Sequence, residues 1–243
     1  MRSALALLAL PGLLVGLGWS DSLYRQVRFR HHNRHLNPAW LDSLSMTLEQ
    51  VRAEEPENES CLVWLSRVLL LLGDHSDTKA RKLKRYQEAR VVAASLRELN
   101  PKNPEAHLWW GNAQSRLGEL RGGIGSLFMV RGIKSSFDRA VRLKPDLVLG
   151  LYALGRYHFE LPRIAGGSLG RAEQYWLEAL GLEPDLTLIH VSLAWLYRRR
   201  RMWDKAREHA EAVLATQNPE EPATFIEHDR PEALKVLAAI PEQ

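Results

Sequence analysis

Regularly spaced prolines constrain the fold of this chain more than any other feature of its sequence. Pro56, Pro101, Pro145 and Pro184 each follow a helical pattern, and Pro219 continues the series. The intervals between successive members are 45, 44, 39 and 35 residues. Proline cannot continue a helix, and it biases the residue before it away from helical geometry, so these positions predict helix ends. The spacing therefore predicts an all-α chain of helical repeats of about 34 residues, with insertions in the earlier repeats.

Small residues recur at matched positions between these prolines. In the interval after Pro145, Gly155 lies on the first predicted helix and Ala172 on the second. We expect these two residues to face each other, because small side chains let the two helices of one unit approach closely. The residues that occupy the position of Gly155 in the other units are Ser66, Gly111 and Ala194.

This pattern resembles the tetratricopeptide repeat over roughly residues 38 to 217. Two units are lengthened, one around the Gly122–Ser126 stretch and the other around Gly166-Gly167. The lengthened units are similar to those of two families, the TatT-like T-component proteins of TRAP transporters and the regulators of microtubule dynamics. The resemblance implies an all-α tetratricopeptide-repeat solenoid of about four helix-turn-helix units with capping helices and a concave binding face.

Both ends of the solenoid are expected to carry capping helices, since end repeats otherwise expose their apolar seams. The first cap is predicted over residues 38–55 and the second over residues 229–240, with Asp229 as its N-cap. The apolar residues expected to cover the last unit are Leu234, Leu237 and Ile240.

The first 37 residues do not fit the repeat pattern. Residues 1–20 carry an apolar run behind Met1-Arg2, which is typical of a secretory signal peptide or a membrane anchor. The arginines that follow favour retention on the cytoplasmic side. Three locations therefore stay open, namely an exported (periplasmic) protein, a membrane-tethered protein, and a tethered protein with a cytoplasmic body. Residues 21–37 are predicted to form a solvated basic linker, and residues 38–240 the tetratricopeptide-repeat domain.

Histidines and the lone cysteine give no catalytic or metal site. His31 and His35 have the i, i+4 spacing of metal ligands on a helix, but no third ligand lies close in sequence, so no metal site is predicted. The single Cys61 excludes an intrachain disulfide and a cysteine-based zinc site, and we expect a buried thiol. His107 and His190 occupy the same early position in two first helices and are predicted to be structural. The chain is predicted not to be an enzyme.

The glycine-rich stretches are predicted to be turns. Gly122–Ser126 lacks the dinucleotide fingerprint and the lysine of a phosphate loop, so it predicts a helix-helix turn. Gly166-Gly167 predicts a turn with positive φ, with Ser168 as the N-cap of the next helix. No cofactor is predicted. The net charge of +4 comes without a lysine-rich tail, so nucleic acid is not a predicted partner.

Since no catalytic, metal or cofactor site is predicted, we expect the function of this chain to be binding. First helices line the concave surface of such a solenoid, and arginines beside aromatic residues suit a peptide segment or an anionic group. The similarity to the peptide-carboxylate clamp of chaperone adaptors is limited to Asn112, because Leu108 stands where that clamp has a lysine. The residues predicted to contact the partner are Arg67, Asn112, Arg116, Tyr152, Arg156, Phe159, Trp195, Arg198 and Arg199.

Two functions follow from this surface. The first is a non-catalytic scaffold or adaptor, exported or membrane-tethered, that docks a protein or peptide partner in an open concave groove. The alternative, implied by the TatT-like resemblance, is a TRAP-transporter accessory protein that handles a small anionic ligand. That alternative predicts a closed pocket lined by Tyr152, Arg156 and Trp195.

Overall fold

A computed structural model describes residues 19–241, apart from the side chains of residues 123–128. Within that range the chain is helical and contains no β-strand. The predicted signal peptide or anchor, residues 1–20, lies outside the described residues except for its last two. In chain order the elements are α1 (Asp21–His32), α2 (Ala39–Glu54), α3 (Glu59–Asp74), α4 (Lys79–Leu99), α5 (Pro104–Arg121), α6 (Gly123–Leu143), α7 (Val148–Glu160), a 3₁₀ turn (Arg163–Ala165), α8 (Leu169–Leu182), α9 (Thr187–Arg199), α10 (Trp203–Ala215), α11 (Pro222–Thr224), a π-helical turn (Phe225–Asp229) and α12 (Arg230–Ala238).

The helices form the predicted solenoid. Four helix-turn-helix units follow one another, α3 with α4, α5 with α6, α7 with α8, and α9 with α10, and each pair packs against the next. Helices α2, α4, α6 and α8 each end two residues before one of the spaced prolines, as predicted from the restriction that proline imposes. The predicted fold class is confirmed.

Side-chain caps fix where several helices begin. Asn58, Thr78, Asn103 and Ser168 each precede a helix, and each accepts a hydrogen bond from a backbone N–H in its first turn. These bonds satisfy backbone donors that have no partner within the helix. The predicted cap at Ser168 is therefore confirmed.

Two positive-φ glycines make the turns that the sequence predicts. Gly122, with a φ of 62°, separates α5 from α6, and Gly166, with a φ of 94°, precedes α8. An L-residue with a side chain rarely adopts such angles, whereas glycine does so freely. Gly167 has a different role, since a Cβ there would overlap the carbonyl oxygen of Leu161.

Gly155 allows the helices of the third unit to touch, although its nearest neighbour differs from the expected one. A Cβ at Gly155 would overlap the indole of Trp176 on α8, with Cε2 at 2.6 Å. Gly111 has the same relation to Phe137 on α6, whose Cδ1 would lie 2.8 Å away. The small residue therefore makes room for an aromatic ring of the facing helix.

The solvated linker predicted for residues 21–37 is wrong. Residues Asp21–His32 form helix α1, capped by the side chain of Ser20. Leu23 and Val27 are buried in the core cluster that includes α2, and Arg34 is also buried. The many arginines obscured the apolar i, i+4 pair that makes this segment a helix packed against the solenoid.

The helix at the C-terminal end differs in detail from the prediction. Asp229 has helical dihedrals and makes no cap, because its carboxylate accepts a 2.6 Å hydrogen bond from Thr187 Oγ1 instead. Leu234 is 50% exposed, and the buried residues are Ala233, Val236 and Ile240. The first cap is as predicted, since α2 spans Ala39–Glu54.

None of the helices in residues 19–241 is both long and apolar enough to cross a membrane.

Candidate functional site: the concave cavity

The first helices of the repeats enclose a cavity of about 740 Å³. Side chains from α3, α5 and α7 line it, and α6 contributes Ile133 and Phe137. His31 and Arg34 from the N-terminal region, Leu188 from α9 and Thr224 from the C-terminal region also line it. This volume lies within the range of about 300–1,000 Å³ that is typical of ligand sites.

Five of the nine predicted binding residues meet at this cavity. Arg67 comes from α3, Asn112 and Arg116 from α5, and Tyr152 and Arg156 from α7. They come together because stacked first helices present equivalent faces to the same side. The register inferred from the proline spacing therefore places these side chains correctly, while their role in binding stays a prediction.

The other four predicted residues lie outside the cavity lining and have partners within the chain. Trp195 Nε1 donates a 3.1 Å hydrogen bond to Glu232 Oε2, and the Arg198 guanidinium stacks on the Trp195 ring. Arg199 Nη1 donates to the Phe159 carbonyl oxygen at 2.8 Å and also stacks over the Phe159 ring. These four residues join α9 to its neighbours α7 and α12 or pack along α9 itself.

Arg116 and Arg156 differ in how firmly the chain holds them. Arg116 Nη2 lies 3.0 Å from Asp74 Oδ2, and its Nη1 lies 3.2 Å from Glu119 Oε2. Burial opposes the charged guanidinium, but these carboxylates outweigh it and raise the pKa of Arg116. Arg156 is 3.5 Å from Glu160 Oε1 and 3.9 Å from Glu119 Oε1, so its ion pairs are looser. Arg156 is therefore the cavity arginine that an external anion can engage most readily.

Aromatic rings accompany the arginines, as the sequence predicted. The Arg67 guanidinium lies 5.1 Å from the centre of the Trp64 ring and 5.6 Å from that of Trp109. Such cation–π contacts hold a planar guanidinium in place. Trp109, Phe137 and Tyr152 give the cavity apolar wall area, so it can receive both apolar and anionic groups.

A C-terminal stretch, which we term the crossing segment (residues 220–229), reaches back from the last unit to the first. Glu221 Oε1 lies 2.7 Å from Arg67 Nη2. Glu227 Oε2 lies 3.0 Å from Arg34 Nη2, which also donates to Thr224 Oγ1 at 3.2 Å. These contacts link parts of the chain more than 150 residues apart and close one side of the cavity. Sequence reasoning missed them, although Glu220-Glu221 after Pro219 is an acidic pair facing an arginine-rich N-terminal region.

The N-terminal histidines meet the crossing segment. His31 Nδ1 and His32 Nδ1 each lie 3.6 Å from Glu221 Oε2, and the three ligand atoms lie within 4.8 Å of one another. Burial lowers the pKa of His31 well below its usual value, and the nearby Arg67 and Arg34 lower it further. The sequence-based pair of His31 with His35 is not the group that forms, since His32 takes the place of His35.

Two other histidines and the cysteine are structural, as predicted. His107 Nε2 hydrogen-bonds the carbonyl oxygen of Pro101, and His190 Nε2 that of Pro184, both at 2.9 Å. The same contact six residues upstream in two units shows equivalent packing. Cys61 is fully buried, and burial together with nearby carboxylates raises the pKa of its thiol to about 12.

The fold and the concave site together define a class, that of the tetratricopeptide-like helical repeat proteins. The crystal structure of a thermophilic tetratricopeptide repeat protein from Thermus thermophilus superimposes with a TM-score of 0.64 at 18% identity. The match covers 89% of this chain and 98% of that protein, and it shows the fold.

The family follows from a sequence match. The family model described as regulator of microtubule dynamics protein 1-3 matches residues 33–165, which is more than half of the 243-residue chain. The chain belongs to this family. The other resemblance, to the TatT-like proteins, stays a prediction.

One curated relative is a mitochondrial import receptor subunit, TOM20-1, of Arabidopsis thaliana. It is 26% identical over 118 residues, which is 46% of this chain. The match spans 63% of the length of that relative, so it does not extend to the whole of either protein.

Proposed function

We propose that this chain is a non-catalytic protein-binding scaffold whose concave cavity takes an acidic segment of a protein partner. The observation that carries the proposal is the loose pairing of Arg156. This arginine lines the cavity, and its Nη2 atom lies 3.5 Å from Glu160 Oε1 and 3.9 Å from Glu119 Oε1. The curated relative is by its name a receptor subunit for import, which agrees with recognition of protein by this kind of fold.

The chemistry of the cavity supports an acidic segment in particular. A partner carboxylate can accept parallel hydrogen bonds from the planar guanidinium of Arg156, and this geometry favours arginine over lysine. Arg116 lies one helix away on α5 and shares Glu119 with Arg156. A carboxylate that displaces Glu119 from Arg156 leaves the bond between Arg116 and Asp74 intact, so binding need not strip Arg116 of its partner.

Fluorescence polarisation with a labelled acidic hexapeptide that has a free C-terminal carboxylate tests this proposal. We expect saturable binding to the full-length chain and weaker binding to the Arg156→Ala variant. A hydrogen bond to a charged group contributes about 1.5–3 kcal/mol, which corresponds to a roughly tenfold to hundredfold loss of affinity. The effect should shrink at high salt, since Arg156 is about one-third exposed.

A matched control separates this effect from a general loss of positive charge. Arg142 is exposed on α6 and does not line the cavity, so Arg142→Ala should bind the peptide as the parent does. Equal losses in the two variants, or no binding of the acidic peptide to the parent, would rule out the cavity as the acidic-segment site.

A second function, a carrier for a small anionic ligand, has one observation in its favour. The crossing segment closes one side of the cavity through Glu221 and Glu227, which makes the space more pocket-like than an open groove. Tyr152 and Arg156 line it as that function requires, but Trp195 does not. Isothermal titration with succinate distinguishes the two, because a carrier should bind this dicarboxylate more tightly than the acidic peptide.

We also propose that residues 1–20 tether the protein to a membrane or direct its export. The apolar run behind Met1-Arg2 is the support for this proposal. Fractionation of cells that express the full-length chain should place it in the membrane or give a product that starts near Asp21. A freely soluble protein with an intact N-terminus would contradict both versions.

A further inference from the structure

We infer that His31, His32 and Glu221 form a transition-metal site that joins α1 to the crossing segment. Two imidazoles and one carboxylate suit Zn²⁺ and its neighbours rather than Mg²⁺ or Ca²⁺, which prefer oxygen ligands. Residues 31 and 32 lie about 190 positions from Glu221 in sequence, so the fold alone creates this site.

The distances from the two histidines to Glu221 are close to those that a metal requires. Zinc bonds to histidine nitrogen and carboxylate oxygen are about 2.0–2.2 Å, so two ligands of a tetrahedral ion are about 3.4 Å apart. Each histidine Nδ1 lies 3.6 Å from Glu221 Oε2. Each histidine is therefore within a few tenths of an ångström of the separation from Glu221 that a metal requires, and the two histidine nitrogens, which lie within 4.8 Å of each other, must approach by at most about 1.4 Å; a water or a partner group can complete the fourth position.

The buried polar atoms at this place are a second and independent observation. Both ring nitrogens of His31 and the Oε2 atom of Glu221 are buried and accept or donate no hydrogen bond. His31 is only 1% exposed, and a buried polar group without a partner is costly. A metal ion would satisfy His31 Nδ1 and Glu221 Oε2 together.

The surroundings hold the ligands in place. Arg67 binds the other oxygen of Glu221 at 2.7 Å and so fixes the orientation of the carboxylate. The edge of the His31 ring packs against Trp64, with ring centres 5.2 Å apart. Arg34 is paired with Glu227, and Arg67 uses only Oε1 of Glu221, which leaves Oε2 directed at the histidines. His32 Nδ1 is 3.0 Å from the Glu220 carbonyl oxygen, and a metal would replace that hydrogen bond.

Cobalt and zinc titrations of the full-length chain, purified without a polyhistidine tag, test the site. We expect Co²⁺ to give the visible absorption bands of low-coordinate cobalt, saturating at one ion per chain, and Zn²⁺ to abolish them by competition. Zn²⁺ should also raise the melting temperature, because a ligand that binds only the folded state stabilises it. Mg²⁺ at the same concentration should do neither.

Variants locate the ion. His32→Asn changes a half-buried ligand, and we expect it to weaken Co²⁺ binding at least tenfold while the chain still folds. His228→Asn is the matched control, since His228 lies in the crossing segment but outside the cluster, and it should bind Co²⁺ as the parent does. His190→Asn disrupts a second close histidine pair, His190 with His209, and should also leave binding intact. Absence of cobalt bands in the parent, or equal loss in His32→Asn and His228→Asn, would overturn the inference.

Discussion

Replacing Gly155 by alanine tests how the third repeat closes. A Cβ at this position would overlap Nε1 and Cδ1 of Trp176 and come within 2.6 Å of its Cε2. Trp176 is 1% exposed and cannot move aside into solvent. Its Nε1 also donates a 3.2 Å hydrogen bond to the Tyr152 carbonyl oxygen, which any displacement of the indole would strain.

The size of the effect follows from two destabilising contributions and one stabilising contribution. Overpacking of a filled core costs about 1–3 kcal/mol, and a weakened buried hydrogen bond adds roughly 0.5–1.5 kcal/mol. Alanine stabilises the helix relative to glycine by about 0.5–1 kcal/mol. The net expectation is a loss of roughly 0.5–4 kcal/mol, which for a chain of this length lowers the melting temperature by roughly 1–16 °C.

Thermal unfolding followed by circular dichroism measures this loss. Gly181→Ala is the control, because it lies in the last turn of α8 with no atom within 4 Å of its Cβ position. That variant should be as stable as the parent or slightly more so. If Gly155→Ala had the same melting temperature as Gly181→Ala, the proposed contact between Gly155 and Trp176 would be refuted.

Two further predictions concern a buried hydrogen bond and a half-buried histidine. Thr187→Val removes the 2.6 Å hydrogen bond to the buried Asp229 carboxylate and should lower the free energy of unfolding by about 1–3 kcal/mol in urea, whereas Thr216→Val at the end of α10 should change it little. Burial and the neighbouring His190 lower the pKa of His209 to about 4, so the unfolded state takes up a proton first and stability should fall as the pH drops from about 6.5 towards 4. Substitution of His209 by asparagine should make the urea midpoint less dependent on pH in that window; an unchanged slope would show that His209 does not contribute.

Repeat architecture was predictable because it depends on local rules. The helices before Pro101, Pro145 and Pro184 each end two residues before the proline, and Asn103 and Ser168 cap the starts of α5 and α8 through bonds to nearby backbone groups. The register of the first helices follows from these stops. Five of the nine candidate binding residues were accordingly placed on the cavity wall.

Contacts between distant parts of the chain were not predictable in the same way. The helix α1 contains several arginines, and only its buried Leu23 and Val27 indicate packing. The crossing segment pairs Glu221 with Arg67 across 154 positions, and no local pattern encodes that pairing. Arg199 lies outside the cavity lining because the carbonyl oxygen of Phe159, 40 positions away, accepts its hydrogen bond.

The position of a bound partner on the solenoid tests most directly whether the concave cavity is the binding site. Asn112 lines the cavity and Val91 is 52% exposed on α4, away from the cavity lining, so a cysteine at either place can carry a photoreactive benzophenone. Cys61 does not interfere, because it is fully buried and its thiol has a pKa of about 12. We expect the acidic hexapeptide to crosslink to the label at position 112 and not at position 91. Crosslinking only at position 91, or equally at both, would contradict binding in the concave cavity.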